Sequence, residues 1–509
     1  MKRNSVVTGT LWLTAAGLIS RLLGFVYRIY LSGLIGSEGM GLYQLISPIY
    51  FLLFTLCSAG CHTAISQMVA AESAHRHTQN MQRILWICLV PSTALALLFV
   101  LLIQEFSPWI AVHIIQDARA AEGVRILCLG LPFCVSSSCF KAYFHGIRQM
   151  KTPATEQVIE QICRMSVIYM LAPLLSQSDV TTTCSYVVYG TVAGDFVSCL
   201  YTGIAYGIHR RRLPYSSYRE PFPSLLRPLL LIILPVTGSR LLTQLLSSFE
   251  NIMLPSTLQR FGLSSSESLS LYGEFSGMVM PLLSFPTIIT SALSSNLLPL
   301  VASAKASRNY RLIQTATYRS LRLTFMIAFL FSALFASLGL ALGNLLYPGT
   351  NAGIWLPIVG LFCPFFYLQN TLSGLLTGSG LQNEVFLYQI IASGLRIILM
   401  LSLVPLYGFP AFLLGMLASL ILSSILGLRK LILTYHMKLS FLKEIATLFV
   451  CSAATFLLSR LTAPYVSTAS SLCLAALAAS AFYLLALFLT RCLTKKDLQE
   501  VLLLVKPRR

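Results

Sequence analysis

Arg21 and Arg28 stand seven residues apart inside the first apolar stretch of this 509-residue chain, and no acidic residue lies in that stretch. Seven residues are almost two helical turns, so both guanidinium groups project from one face. That face also carries Thr10, Thr14, Gly17 and Gly24. A cation at membrane depth costs at least ~2.5 kcal/mol on insertion scales, so such residues face water or protein rather than lipid. A guanidinium also grips phosphate oxygens in a bidentate fork. The pattern predicts a hydrated, positively charged wall suited to a phosphate or pyrophosphate group.

Two further stretches carry matching chemistry. Arg240, Gln244, Ser247 and Asn251 recur at i, i+4, i+7 and i+11, one polar stripe on a helix that lipid would penalise. This stripe is expected to face the first span's arginines across a central cavity. Glu156, Glu160 and Arg164 follow at successive i+4 steps, with Gln157 and Gln161 beside them. Glu160 and Arg164 suit an intrahelical ion pair, and Arg164 is also a candidate for substrate contact. Glu156, one turn nearer the basic side, reads as a mouth or capping residue, and Lys141 as a partner of substrate or of an acid. Glu160, Asp195, Glu250 and Glu274 are candidates for a coupling-ion site or for ion pairs with the arginines. Cys57, Cys61 and His62 do not make a zinc site, because His62 points about 100° away from Cys61. No metal or cofactor is expected, and no sequence pattern of an ATP-hydrolysing or catalytic domain occurs.

The elements that position these residues must be membrane helices. The chain is 56% hydrophobic and 10% charged, with a mean hydropathy of +0.76, which excludes a soluble globular or a disordered protein. Apolar stretches of about 20 residues or more number about fourteen, the first near 5–32 and the last near 467–492. The net charge of +19 does not point to nucleic acid, because Lys and Arg gather in alternate loops. One side holds Arg76, Arg148, the run Arg210–Arg212, Lys305, Arg308, Arg429 and the basic tail, whereas the other holds Arg119, Arg125 and Arg260. The positive-inside rule then puts both termini in the cytoplasm of a multi-pass cell-membrane protein. The basic excess also attracts anionic membrane lipids.

A parallel internal repeat is visible. Ser20-Arg21-Leu22-Leu23 recurs as Ser239-Arg240-Leu241-Leu242, and Leu42-Tyr43 with Pro48 has a counterpart in Leu271-Tyr272 with Pro281. Six spans separate the copies, so both run in the same direction, a plan known among transporters. The expected organisation is a six-helix lobe over 1–208, a basic linker over 209–226, a second six-helix lobe over 227–436, and two additional helices with a basic tail over 437–509.

Two segments resemble a known family. The first runs from Ser20-Arg21-Leu22-Leu23-Gly24 through Arg28 to Ile35-Gly36-Ser37-Glu38-Gly39-Met40-Gly41-Leu42-Tyr43-Gln44 and Pro48. The second is Phe140-Lys141-Ala142-Tyr143-Phe144-His145-Gly146 with Met150-Lys151-Thr152-Pro153, Glu160-Gln161 and Arg164. Together they resemble the stage V sporulation protein B group of polysaccharide-type exporters. The resemblance implies the multidrug/oligosaccharidyl-lipid/polysaccharide flippase superfamily: an all-α membrane fold of two parallel six-helix lobes plus two C-terminal helices, working by alternating access. It further implies a substrate carried on undecaprenyl pyrophosphate, such as a peptidoglycan precursor of the lipid II type, for spore cortex or cell wall, and possible contact with cell-wall synthesis proteins. In lipid II flippases arginines on the first and eighth helices matter. Arg21 and Arg28 match the first; the eighth span here holds Glu274 and no central arginine. The last two spans, 441–492, would hold the lipid tail.

The expected protein is therefore a flippase of a lipid-linked oligosaccharide and not an enzyme. Its substrate-binding residues are expected to be Arg21, Arg28, Arg240, Gln244, Asn251 and Arg164. The alternative within the same superfamily is a cation-coupled multidrug exporter.

Overall fold

The computed structural model describes residues 3–175, 179–214, 218, 220–436, 442–466, 468–490 and 492–493. Arg219 of the linker, Lys438 and the basic tail lie outside the described residues, as do the side chains of Thr10 and Thr14. Among the described residues every regular element is helical.

The first helix, α1, runs Arg3–Ala74. At 1.5 Å per residue its 72 residues would measure roughly 108 Å, more than three hydrocarbon thicknesses of about 30 Å. Gly36 interrupts it with φ 69° and ψ −175°, a conformation that only glycine adopts cheaply. One continuous assignment thus contains two membrane stretches, one on each side of Gly36.

Helices α2 (Thr78–Trp109), α3 (Ala120–Leu129), α4 (Leu131–Gly146), α5 (Lys151–Leu175), α6 (Val180–Arg211), α7 (Phe222–Phe261) and α8 (Ser265–Tyr272) follow. They continue with α9 (Met280–Ser284), α10 (Thr287–Ala306), α11 (Tyr310–Leu346), α12 (Ala352–Gly360), α13 (Cys363–Gly378), α14 (Gln382–Tyr407), α15 (Phe409–Tyr435), α16 (Leu442–Thr462) and α17 (Ala469–Leu489). Ten described helices are long and apolar enough to cross a membrane, or twelve if each of two bent pairs is one span. The expected fourteen is not reached by that measure. It takes α1 as one helix, and α5, carrying Glu156, Glu160 and Arg164, is not among the ten. The protein is an all-α, multi-pass membrane protein.

The helices group into two compact units, Met1–Ser256 with Ser264–Gly273, and Thr257–Leu263 with Glu274–Arg509. In the first, α1, α2, α4, α6 and α7 share a core that includes Ile65, Leu85, Tyr143, Tyr206 and Leu229. In the second, α10, α11, α13 and α15 bury Val301, Ile313, Leu375 and Leu431. Helices α16 and α17 pack on α11 through Leu448, Tyr483 and Leu487. Because lipid is as apolar as leucine, polar contacts help fix such packing. The Tyr483 hydroxyl donates to the Met326 carbonyl at 3.1 Å, and Ser459 donates to Ser337 at 2.6 Å.

The two units repeat one another internally. Helix α4 begins at Leu131 and ends at Gly146, and α13 begins at Cys363 and ends at Gly378, both bounds displaced by 232 residues. The same displacement relates the starts of α2 and α11, Thr78 and Tyr310, and the ends of α1 and α10, Ala74 and Ala306. Helices α3 and α4 meet at 40°, α12 and α13 at 61°, with Pro132 and Pro364 at equivalent starts. Left-handed residues close the equivalent turns: Arg76 with Arg308, and Arg148 with Gly380. In each turn the next residue's N–H returns to a carbonyl five positions back, as His77 to Glu72 and Asn309 to Ala304.

Candidate functional site

All the predicted cationic residues and their nearest polar neighbours lie in the first unit. On α1, Arg21 is exposed and Arg28 half-buried. The small residues beside them admit α5: a Cβ on Gly17 would lie 3.9 Å from Gln157 Oε1, and one on Gly24 3.8 Å from Gln161 Nε2. Ser20 donates to the Gln157 carbonyl at 3.4 Å. The stripe expected to line water is thus divided. Its glycines receive the two glutamines of α5, and its arginines stand beside them.

The carboxylates of this unit's interior are occupied. Arg164 Nη2 meets Glu160 Oε1 at 2.7 Å, one turn away on α5. Tyr43, Asp195 and Tyr27 also act on its charge. Lys141 Nζ lies 3.1 Å from Glu156 Oε1, which Ser198 of α6 also reaches by a hydrogen bond. Ser198 and Ser137 are 2.6 Å apart through their hydroxyls. Glu156 is therefore a buried ion-pair partner, not the mouth or capping residue its position suggests; only 1% of it is exposed. Asp195 on α6 accepts a hydrogen bond from the Tyr50 hydroxyl at 2.6 Å, both side chains being buried.

Removing charges from water is costly unless partners satisfy them. Here Lys141 of α4, Arg164 of α5, Ser198 of α6 and Tyr50 of α1 supply partners for Glu156, Glu160 and Asp195. Among the described residues no salt bridge within the unit takes up Arg21, Arg28 or Arg240, so their positive charge remains available.

On α7, Arg240 is exposed and Gln244 donates to Ser248 at 3.3 Å, which in turn donates to the Pro48 carbonyl at 3.2 Å. Asn251 donates to the Ser247 carbonyl at 2.9 Å. Gly60 brings α1 against α7, since a Cβ there would stand 2.4 Å from Thr237 Oγ1. The stripe of α7 is thus tied to the second stretch of α1, beyond Gly36. Arg240, Lys141 and His145 all act electrostatically on His62, and the two histidine rings lie 5.7 Å apart. Glu250 is buried and has interaction partners of its own.

Glu274 belongs to the second unit. Its Oε1 accepts the Asn351 N–H at 2.9 Å, just ahead of α12. There it supports a helix terminus. Sequence reasoning missed Tyr50, because its partner Asp195 lies 145 residues away. It also passed over His145; a histidine near a helix end is a weak signal by itself.

Outside the apolar stretches, Arg119 bridges Asp117 and Glu38, each at 2.7 Å. The hydrogen bonds it donates to Asp117, and then to Glu38, hold its guanidinium protonated well above the ordinary range.

The chain can now be set beside known proteins. It is 25% identical over 509 residues to Stage V sporulation protein B of Bacillus subtilis (strain 168), covering 98% of each chain. It is 22% identical over 338 residues to Lipid II flippase MurJ of the same organism, covering 61% of this chain and 60% of that protein. A solved structure of Lipid II flippase MurJ in an inward closed conformation matches with a TM-score of 0.72 at 14% identity, over 94% of this chain and 99% of that one. At that identity the match speaks for the fold. The model of the Polysaccharide biosynthesis protein family matches residues 6–305, more than half of the chain. The resemblance carried by the Arg21–Arg28 and Gly146–Arg164 segments is borne out, and the chain belongs to the polysaccharide biosynthesis protein family.

Proposed function

We propose that this protein moves an undecaprenyl-pyrophosphate-linked glycan, a lipid II-like peptidoglycan precursor for spore cortex or cell wall, across the cell membrane by alternating access. One observation carries the reading: among the described residues Arg21 and Arg28 sit at membrane depth without an acidic partner in their unit, while Glu156, Glu160 and Asp195 are satisfied. Two guanidinium groups on one helix face match the two phosphates of a pyrophosphate. Arg240 adds a third positive charge, Gln244 and Asn251 supply neutral hydrogen bonds, and Arg164 contributes field through its pair with Glu160. The alternation of basic loops supports a cytoplasmic side for both termini.

Moving an anionic head group outward runs down a negative-inside potential, by about 2.3 kcal/mol per charge at 100 mV. Coupling to an ion or consumption of the product can drive the step further. Asp195, Glu160, Glu250 and Glu274 are the candidates for holding such an ion. The buried Asp195–Tyr50 contact favours the second reading, a cation-coupled exporter, to the extent that Asp195 exchanges a proton.

The test is native mass spectrometry of the purified protein with lipid II and with undecaprenyl pyrophosphate, comparing wild type with Arg21→Ala/Arg28→Ala. Loss of two charge-assisted contacts, at ~1.5 kcal/mol or more each, should weaken binding at least about 100-fold. Binding indifferent to the arginines would reject the reading.

A further inference from the structure

The internal repeat exposes a difference between the units. In the first, Lys141, Glu156, Ser137 and Ser198 form one interlocked cluster that fills the space among α4, α5 and α6. A displacement of 232 residues carries Ser137, Lys141 and Glu156 to Gln369, Ser373 and Tyr388. On α6, Gly190 packs on the Arg164 carbonyl, and on α15, Gly415 packs on the Arg396 carbonyl. That pairing aligns Ser198 with Ser423.

The equivalent contact is kept: Gln369 Nε2 donates to Ser423 Oγ at 3.2 Å, where Ser137 meets Ser198 in the first unit. The ion pair is not kept. In its place is a cavity of about 260 Å³, lined by Gln369, Asn370, Ser373, Tyr388, Gln389 and Ser423 among others.

Among the described residues no charged side chain lines this cavity. A phosphate has no cation to meet there, and a lipophilic cation has no carboxylate. Each lining amide offers two donors and an acceptor oxygen, and the serine and tyrosine hydroxyls both give and accept. The bond to Ser423 uses one donor of Gln369. Phe366, Leu372 and Val385 supply apolar walls between these groups. A sugar ring has the same alternation, with an apolar face and a hydroxyl rim. The volume lies just under the ~300 Å³ at which drug-sized pockets begin, which suits a single ring.

We propose that this neutral polar cavity of the second unit, the emptied counterpart of the Lys141–Glu156 cluster, is a glycan subsite that takes one sugar ring of the substrate. The assignment rests on the lipid-linked glycan reading for its substrate but on different residues, so the two can fail separately.

Two measurements on full-length protein test it. In the first, undecaprenyl pyrophosphate is compared with its disaccharide-bearing form in native mass spectrometry. Wild type should prefer the glycan-bearing form about tenfold, one sugar's worth of one or two net hydrogen bonds. Gln369→Leu and Ser373→Lys/Tyr388→Glu, the latter refilling the cavity with the ion pair of the first unit, should each abolish the preference and leave binding of the bare carrier unchanged. Preference retained in both folded variants overturns the subsite while leaving the pyrophosphate reading intact. In the second, a Ser373→Cys protein is labelled with maleimide and read by peptide mass spectrometry. Free N-acetylglucosaminyl–N-acetylmuramic acid at millimolar concentration should slow labelling at least about fivefold, whether or not the arginines bind a carrier. Labelling unaffected by the disaccharide, or slowed by sodium ions instead, overturns the subsite.

Discussion

Tyr50 and Asp195 meet at 2.6 Å across 145 residues of sequence, joining the second stretch of α1 to α6 in the buried interior of the first unit. The phenol satisfies a carboxylate that would otherwise stand alone at membrane depth. Removing one partner of a buried charged contact leaves the other uncompensated, at a cost of several kcal/mol. Tyr50→Phe should therefore lower the thermal midpoint in detergent, whereas Tyr50→Phe/Asp195→Asn should recover part of the loss. An unchanged midpoint in the single variant would count against the contact.

The Lys141–Glu156 pair should behave as a unit. Lys141→Met alone strands Glu156 beside Ser198 and should destabilise by about 3–5 kcal/mol. The double variant Lys141→Met/Glu156→Leu should be milder than the sum of the singles. A double-mutant cycle of denaturation in mixed micelles measures the coupling; additive effects would contradict the geometry.

Gly60 tests the approach of α1 to α7. A Cβ there would stand 2.4 Å from Thr237 Oγ1 and 2.5 Å from the Ile233 carbonyl. Gly60→Ala should cost about 1–3 kcal/mol, typical of an overpacked contact, and Gly60→Leu more. Thr237→Ala should relieve only part of it, because the backbone carbonyl remains. Stability measured by protease resistance distinguishes these outcomes.

Arg21 and Arg28 should be expendable for folding, since among the described residues no acid in their unit is paired with them. Arg21→Ala/Arg28→Ala should keep the wild-type stability within about 0.5 kcal/mol, the usual range for substitutions away from buried contacts, while flipping of reconstituted lipid II falls to background. A variant that flips normally would refute the proposed role; one that fails to insert would show the arginines to be structural.

Much of this was legible in residue types and spacing. Long apolar stretches, alternating Lys/Arg loops and the Arg21–Arg28 spacing establish a polytopic helical membrane protein with cations at depth, because a bilayer leaves a chain few other ways to satisfy its backbone and charges. The i+4 spacing of Glu160 and Arg164 announced their pair, since helix geometry alone brings them together. What one sequence could not decide was which distant partner each remaining polar group takes. Only the tertiary structure gives Asp195 to Tyr50 and Glu156 to Lys141 and Ser198, and turns the stripe of α7 toward Pro48. It also places Gln369, Tyr388 and Ser423 around one cavity, as those contacts depend on helix rotation and crossing, which local spacing does not encode.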